Sequence, residues 1–236
     1  MKRIFMGHTS YQQPVFDVAK HSIEYRSSDV EITPIVQSAL RELQVYTREK
    51  SKNESTEFSM TRWLTPWLAA YQGWALFMDN DMLCKSDIQE LFDYADPSKA
   101  VMVVKHDYNV EEGIKLDGQR QTNYPRKNWS SVVLWNCEHP SNKLITPELV
   151  NNVSGLYLHR FMWLKDEEIG DLPHHWNYLV GPQSGIYDDD ENAKMVHFTD
   201  GGPYFRNYQD VKFAEDWKAE YKLMTGKDWT TEDIVD

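Results

Sequence analysis

A chain of 236 residues with 37 acidic and 25 basic side chains, a net charge of −12, is a poor partner for nucleic acid or an anionic membrane surface, since both are polyanions. Its length allows one large domain or two small ones, and no stretch approaches the ~20 apolar residues of a membrane span. Cys84 and Cys137 form neither a metal-type pair nor a disulfide framework, and Lys2 and Arg3 precede no long apolar region, so the expectation is a soluble, cytoplasmic protein with reduced thiols.

Residues 3–6 read as a first strand, ended by Gly7-His8-Thr9-Ser10. Residues 14–27 have helical periodicity, with Val15, Val18, Ala19, Ser22 and Ile23 on one face, and residues 30–35 read as a second strand. Strand, loop, helix, strand is the start of a βαβ unit, whose first loop faces the ligand edge of the sheet. His8 is thereby a candidate nucleotide contact, the alternative being a solvated loop histidine. Residues 40–46 read as helical, and the polar, lysine-rich stretch 48–55 reads as a mobile surface loop. Ser55 offers an N-cap for a helix carrying Phe58, Arg62 and Trp63, with Pro66 kinking it or starting a second piece. Arg62 either points towards the site that follows or is solvated.

The run Trp74-Ala75-Leu76-Phe77-Met78 has strand length and is apolar throughout, as a strand buried on both faces should be. It ends in Asp79-Asn80-Asp81 before the chain turns apolar again at Met82. The carboxyl end of such a strand is where open α/β sheets place ligands. Two carboxylates this close repel each other unless something positive joins them. A divalent cation with oxygen ligands, Mg²⁺ or Mn²⁺, does so and commonly brings a diphosphate with it. The competing reading is a polar turn, because Asp and Asn bond their own backbone.

Ser86-Asp87-Ile88-Gln89 has the form of a capping box for a helix running to Tyr94. Residues 100–105 read as a strand, and 106–127, polar with Gly113, Gly118 and Pro125, as a long excursion over the site. A strand resumes over 130–136, and Thr146-Pro147-Glu148 marks a helix start. The acidic cluster Asp166-Glu167-Glu168 is in the first instance a solvated face. A late strand over 194–198 leads into His197-Phe198-Thr199-Asp200-Gly201-Gly202-Pro203. The last helix, 210–225, aligns Phe213, Trp217 and Tyr221 and is stopped by Gly226. Without internal repeats, a single domain is expected.

Five features come in order. They are the Gly7-His8 strand end, the arginine-bearing helix, Phe77-Met78-Asp79-Asn80-Asp81, Leu172-Pro173-His174-His175-Trp176-Asn177, and the His197 to Pro203 motif. Together they make most of the chain resemble a glycosyltransferase of the GT-A fold, nearest the family 8 type. The resemblance implies an α/β, Rossmann-like fold with a mixed, mostly parallel sheet flanked by helices. Residues 1–105 would be the nucleotide-sugar half of the single domain, and 106–236 the acceptor half with the C-terminal metal-ligand motif. It implies metal-dependent transfer of a hexose from a nucleotide sugar, a UDP-sugar, to a glycan or other hydroxyl acceptor with retention of configuration.

Asp81 and His197 would then ligate Mn²⁺ or Mg²⁺ directly, and Asp79 would divide its role between metal and ribose. Gly7, His8, Arg62, Gly201 and Gly202 would contact the donor, the last two by letting the backbone approach its phosphates. Asp166 and Glu167 are the carboxylates nearest the family's catalytic segment. In two respects the chain departs from the family: Pro203-Tyr204-Phe205-Arg206 stands where a phosphate-binding lysine is usual, and that catalytic segment is not clearly matched. The rival readings are a haloacid-dehalogenase-like phosphatase, with Asp79 as nucleophile and Asp81 as acid, and a non-catalytic nucleotide-sugar or glycan-binding protein.

Overall fold

The apolar run before the two aspartates forms β3 (Trp74–Met78), in the middle of a six-stranded sheet of order β2-β1-β3-β8-β5-β9. In it β1 (Lys2–Gly7) lies parallel to both β2 (Val30–Ile35) and β3. β8 (Val132–Asn136) runs antiparallel between β3 and β5 (Val101–Val103), and β9 (Ile169–Asp171) closes the edge parallel to β5. The structure, a computed structural model, describes residues 1–49, 54–106, 113–114, 120–121, 126–181, 187 and 189–235.

Strand alternation divides the core in two. Phe5, Ala75, Phe77, Val133 and Trp135 face one side, and Ile4, Met6, Leu76, Met78 and Leu134 face the other. On the second side lies α1 (Gln13–Arg26), whose predicted face of Val15, Val18, Ala19, Ser22 and Ile23 is buried throughout. The first side is covered by residues 58–64 together with α5 (Pro147–Asn152) and α6 (Gly155–His159). Trp63 is fully buried there, edge-on to Trp135, Phe161 and Trp163.

After the turn at residues 79–81 the chain enters a second, three-stranded sheet as β4 (Met82–Cys84). β11 (Met195–His197) pairs antiparallel with β4 and parallel with β10 (Tyr178–Leu179). Against this sheet packs α7 (Ala214–Thr225), through Trp217. Gly226, at φ 73°, ends α7 in the left-handed conformation that glycine adopts most easily. Glu220 of α7 is buried but not isolated: His21 and Arg26 of α1 donate to its two oxygens at 2.6 and 2.7 Å.

Local expectations fail where short-range bonding wins. α2 is Gln37–Glu42 rather than 40–46, because the chain turns at Gln44 (φ 57°). No α-helix starts at Ser55. Turns lead to a 3-10 turn at Thr61–Leu64, and Pro66 begins the short α3 (Thr65–Leu68). The Ser86 capping box does not form; Gln89 N donates to Asp87 Oδ1 at 2.9 Å, and α4 (Gln89–Phe92) stops short of Tyr94. α6, capped by Ser154, was not expected at all. Within the 106–127 excursion, β6 (Gly113–Ile114) and β7 (Arg120–Gln121) pair antiparallel. Most of that stretch, and residues 50–53 of the predicted loop, lie outside the described residues. Among the described residues no helix is long and apolar enough to cross a membrane.

Candidate metal centre

The carboxyl end of β3 presents Asp79 and Asp81, and strand pairing brings His197 to them. Met82 of β4 lies opposite His197 of β11, and Phe198 N donates to Asp81 O at 3.0 Å. One ligand atom from each of Asp79, Asp81 and His197 lies within 4.8 Å of the others. His197 Nε2 stands 3.5 Å from Asp81 Oδ1.

The imidazole is aimed by a residue whose role the sequence did not disclose. His197 Nδ1 donates to Asn177 Oδ1 at 2.9 Å. Asn177 is fully buried, and its own amide is oriented because Nδ2 donates to Ser131 Oγ at 2.9 Å and Asn128 O at 3.2 Å. That acceptor selects the Nδ1–H tautomer of the neutral ring and leaves the Nε2 lone pair towards Asp81. Asn177→Leu is therefore expected to weaken Mn²⁺ binding about 10- to 100-fold in a direct titration. An unchanged affinity would show that strand pairing alone orients the ring.

Burial pushes the Asp79 carboxyl up to about 6; Arg62 opposes the shift, the Asp81 charge adds to it, and His197 opposes it again. Arg62 Nη1 lies 2.8 Å from Asp79 Oδ1 and donates to Ser130 O at 3.0 Å, with the guanidinium against the Phe58 and Phe77 rings. For His197, burial works against the charged form, but the carboxylates of Asp81 and Asp79 outweigh it and raise its pKa. Oδ1 of each aspartate is buried without an aligned hydrogen bond. Two converging carboxylates and an imidazole nitrogen, with the Arg62 guanidinium beside Asp79, suit a divalent cation of the Mn²⁺ or Mg²⁺ kind.

No protein-family model matches the chain. Protein CDI of Arabidopsis thaliana is 51% identical over 220 residues, which is 92% of this chain and 85% of that protein. The chain belongs to the protein CDI family. The fold of this CDI-family chain is that of GT-A glycosyltransferases. It matches the bifunctional glycosyltransferase WbbM with a TM-score of 0.66 at 14% identity, over 93% of this chain and 49% of that one. It matches GlyE of Streptococcus pneumoniae at 0.63 and 13% identity, over 94% of this chain and 62% of that one. The galactosyltransferase LgtC follows at 0.57 and 12% identity, over 98% of both chains. The chain thus spans about half the length of WbbM and under two thirds of GlyE.

The remaining predicted residues of the CDI-family chain are distributed unevenly. Gly7 ends β1 against Phe58, where a Cβ would come 2.5 Å from the ring. His8 Nε2 donates to Gln13 Oε1 at 3.0 Å, leaving Nδ1 buried without a partner. Gly201 has φ 136°, and a Cβ there would meet the Tyr208 ring at 2.9 Å; one on Gly202 would meet the Tyr204 ring at 2.4 Å. Packing of aromatic rings already accounts for both of these glycines.

Asp166 and Glu167 are not brought to the cluster, contrary to the expectation of a catalytic role. They precede β9, which is parallel to β5, so they lie at the end of the sheet away from Asp79. There Ala100 N donates to Glu168 O and Lys99 Nζ to Glu167 O, both at 2.8 Å. The Asp166 side chain is 87% exposed and paired with Arg126.

Proposed function

We propose that this CDI-family chain is a metal-dependent glycosyltransferase of the family 8 type. It would move a hexose from a UDP-sugar to the hydroxyl of a glycan or other acceptor, with retention of configuration. The observation that carries the reading is the convergence of Asp79, Asp81 and His197 at the carboxyl edge of a GT-A sheet. Hexose transfer is supported by LgtC, a galactosyltransferase solved with donor and acceptor sugar analogues. When bound, Mn²⁺ or Mg²⁺ supplies Lewis-acid neutralisation of charge on the departing nucleotide diphosphate.

In this reading Asp81 and His197 Nε2 are the direct ligands, and Asn177 keeps the Nε2 lone pair available. Arg62 holds Asp79, which shares itself between the cation and the donor. His8 meets the donor through its unpartnered Nδ1. Gly7, Gly201 and Gly202 contact the donor through their backbone, since the space beside each Cα is taken by an aromatic ring. We take residues 1–236 as one domain in which β8, from the acceptor half, is inserted between β3 and β5. Cys84 and Cys137 are free and buried, which suits a reducing compartment, and we place the protein in the cytoplasm.

A nucleophilic role for Asp79, as a phosphatase would need, fits poorly with a carboxylate that is almost wholly buried and paired with Arg62. The test is incubation with a panel of nucleotide sugars in Mn²⁺ or in EDTA, reading released nucleotide. Metal-dependent release of UDP is the expected result. Phosphate release from monoesters would support the phosphatase, and tight binding without turnover under any acceptor would support a binding module.

A further inference from the structure

Tyr204 lies seven positions after His197 in the same loop, and its ring is enclosed. It is edge-on to Phe198 and Phe205, with centroids 6.4 and 4.8 Å apart, and tilted against Trp217 at 5.5 Å. Its main chain is also fixed, since Val235 N donates to Tyr204 O at 3.0 Å. The phenol oxygen, however, is buried and has no hydrogen-bond partner. Such groups are uncommon, because desolvating an O–H with nothing in return is unfavourable, and each one calls for a reason.

Its surroundings supply one. The hydroxyl lies over the Gly202 backbone, where an added Cβ would be 3.0 Å from the oxygen. The Phe198 ring that it abuts belongs to the residue whose N–H is bonded to Asp81 O. A phenol carries its proton at neutral pH and is a donor. It makes no hydrogen bond to the Asp81 carboxylate, and that carboxylate is the ligand a cation would engage. The hydroxyl thus stands, with its donor unused, beside the Gly202 backbone in the loop that follows His197.

We propose that the Tyr204 hydroxyl binds the donor, its O–H donating to a phosphate oxygen of a nucleotide diphosphate seated at the Asp79, Asp81 and His197 cluster. The inference rests on the transferase reading and adds a specific anion-recognising group to it. Tyr204→Phe keeps the ring that packs on Gly202 and Trp217 and removes only the hydroxyl. The metal-free, nucleotide-free variant is expected to melt at or above the wild-type temperature, because an unsatisfied group is gone. Its affinity for Mn²⁺ alone stays within two-fold of wild type, while its affinity for UDP in saturating Mn²⁺ falls about ten-fold.

UDP affinity equal to wild type overturns the assignment. So does a lowered melting temperature with a matching loss of Mn²⁺ affinity, which would mark Tyr204 as a support for Asp81. Wild-type protein that binds none of UDP, GDP, ADP or CDP with Mn²⁺ overturns the transferase reading, and the Tyr204 role with it. Binding by wild type with no change in the variant sinks the Tyr204 role alone.

Discussion

On the transferase reading, Asp81→Ala is expected to lower nucleotide-sugar turnover by at least about a thousand-fold while the protein stays folded. Asp81 is one of the three groups that converge at the cluster, and its Oδ1 faces His197 Nε2 at 3.5 Å. Alanine leaves one carboxylate and one imidazole, too few fixed donors to hold a divalent ion against water. The backbone carbonyl of residue 81 still accepts from Phe198 N, so the junction of β4 and β11 is kept. Removal of one of two neighbouring carboxylates also relieves repulsion. The melting temperature without metal is therefore expected to hold, and the upward shift on adding Mn²⁺ to vanish. Turnover within ten-fold of wild type would refute the metal assignment.

Arg62→Met has its largest effect on stability. The guanidinium is the cation nearest Asp79 and is itself almost fully enclosed, so its loss strands a buried carboxylate. Breaking a buried pair from one side costs about 3–5 kcal/mol. Protonation of the stranded acid limits that cost, which gives the variant a pH signature.

In wild type the folded-state pKa of Asp79, about 6, already exceeds the unfolded value of 3.8. The folded chain therefore holds more protons between these values, and this group's contribution to stability falls as pH rises through that window. Loss of Arg62 raises the folded value further and carries the decline above pH 6. Urea unfolding is expected to show a deficit that is largest near pH 8 and shrinks towards pH 5. Saturating Mn²⁺ at pH 8 recovers much of it by replacing the missing positive charge. A deficit that is the same at both pH values would mean that Arg62 acts through packing and its bond to Ser130 alone.

What could be read from the chain in advance follows from burial. β3 and β8 are covered on both faces, so their residues had to be apolar without a break, and the two acids that end β3 stood out against that run. α1 was legible for the complementary reason, since only one of its faces is covered. α6 was not, because five residues carry too little periodicity and its Ser154 cap looks like any loop serine. The Trp176-Asn177 pair is visible in the sequence as part of a motif, yet the hydrogen bond from His197 to Asn177 exists only once β10 and β11 lie side by side. Sequence alone does not show on which side Asp166 and Glu167 lie, because the direction of β9 decides which of its ends meets the ligand edge. A three-residue strand does not announce its direction.

The pairing of β4 with β11 sets the spacing between Asp81 and His197 by backbone hydrogen bonds rather than by loops. An ion binding at this cluster would find the three side-chain groups assembled in advance, and little chain entropy would be lost when it docked. The same arrangement has a temporal side. A ribosome-bound chain that has not yet released residue 197 lacks one of the three groups, so a cation that needs all three would load only after the small sheet is complete.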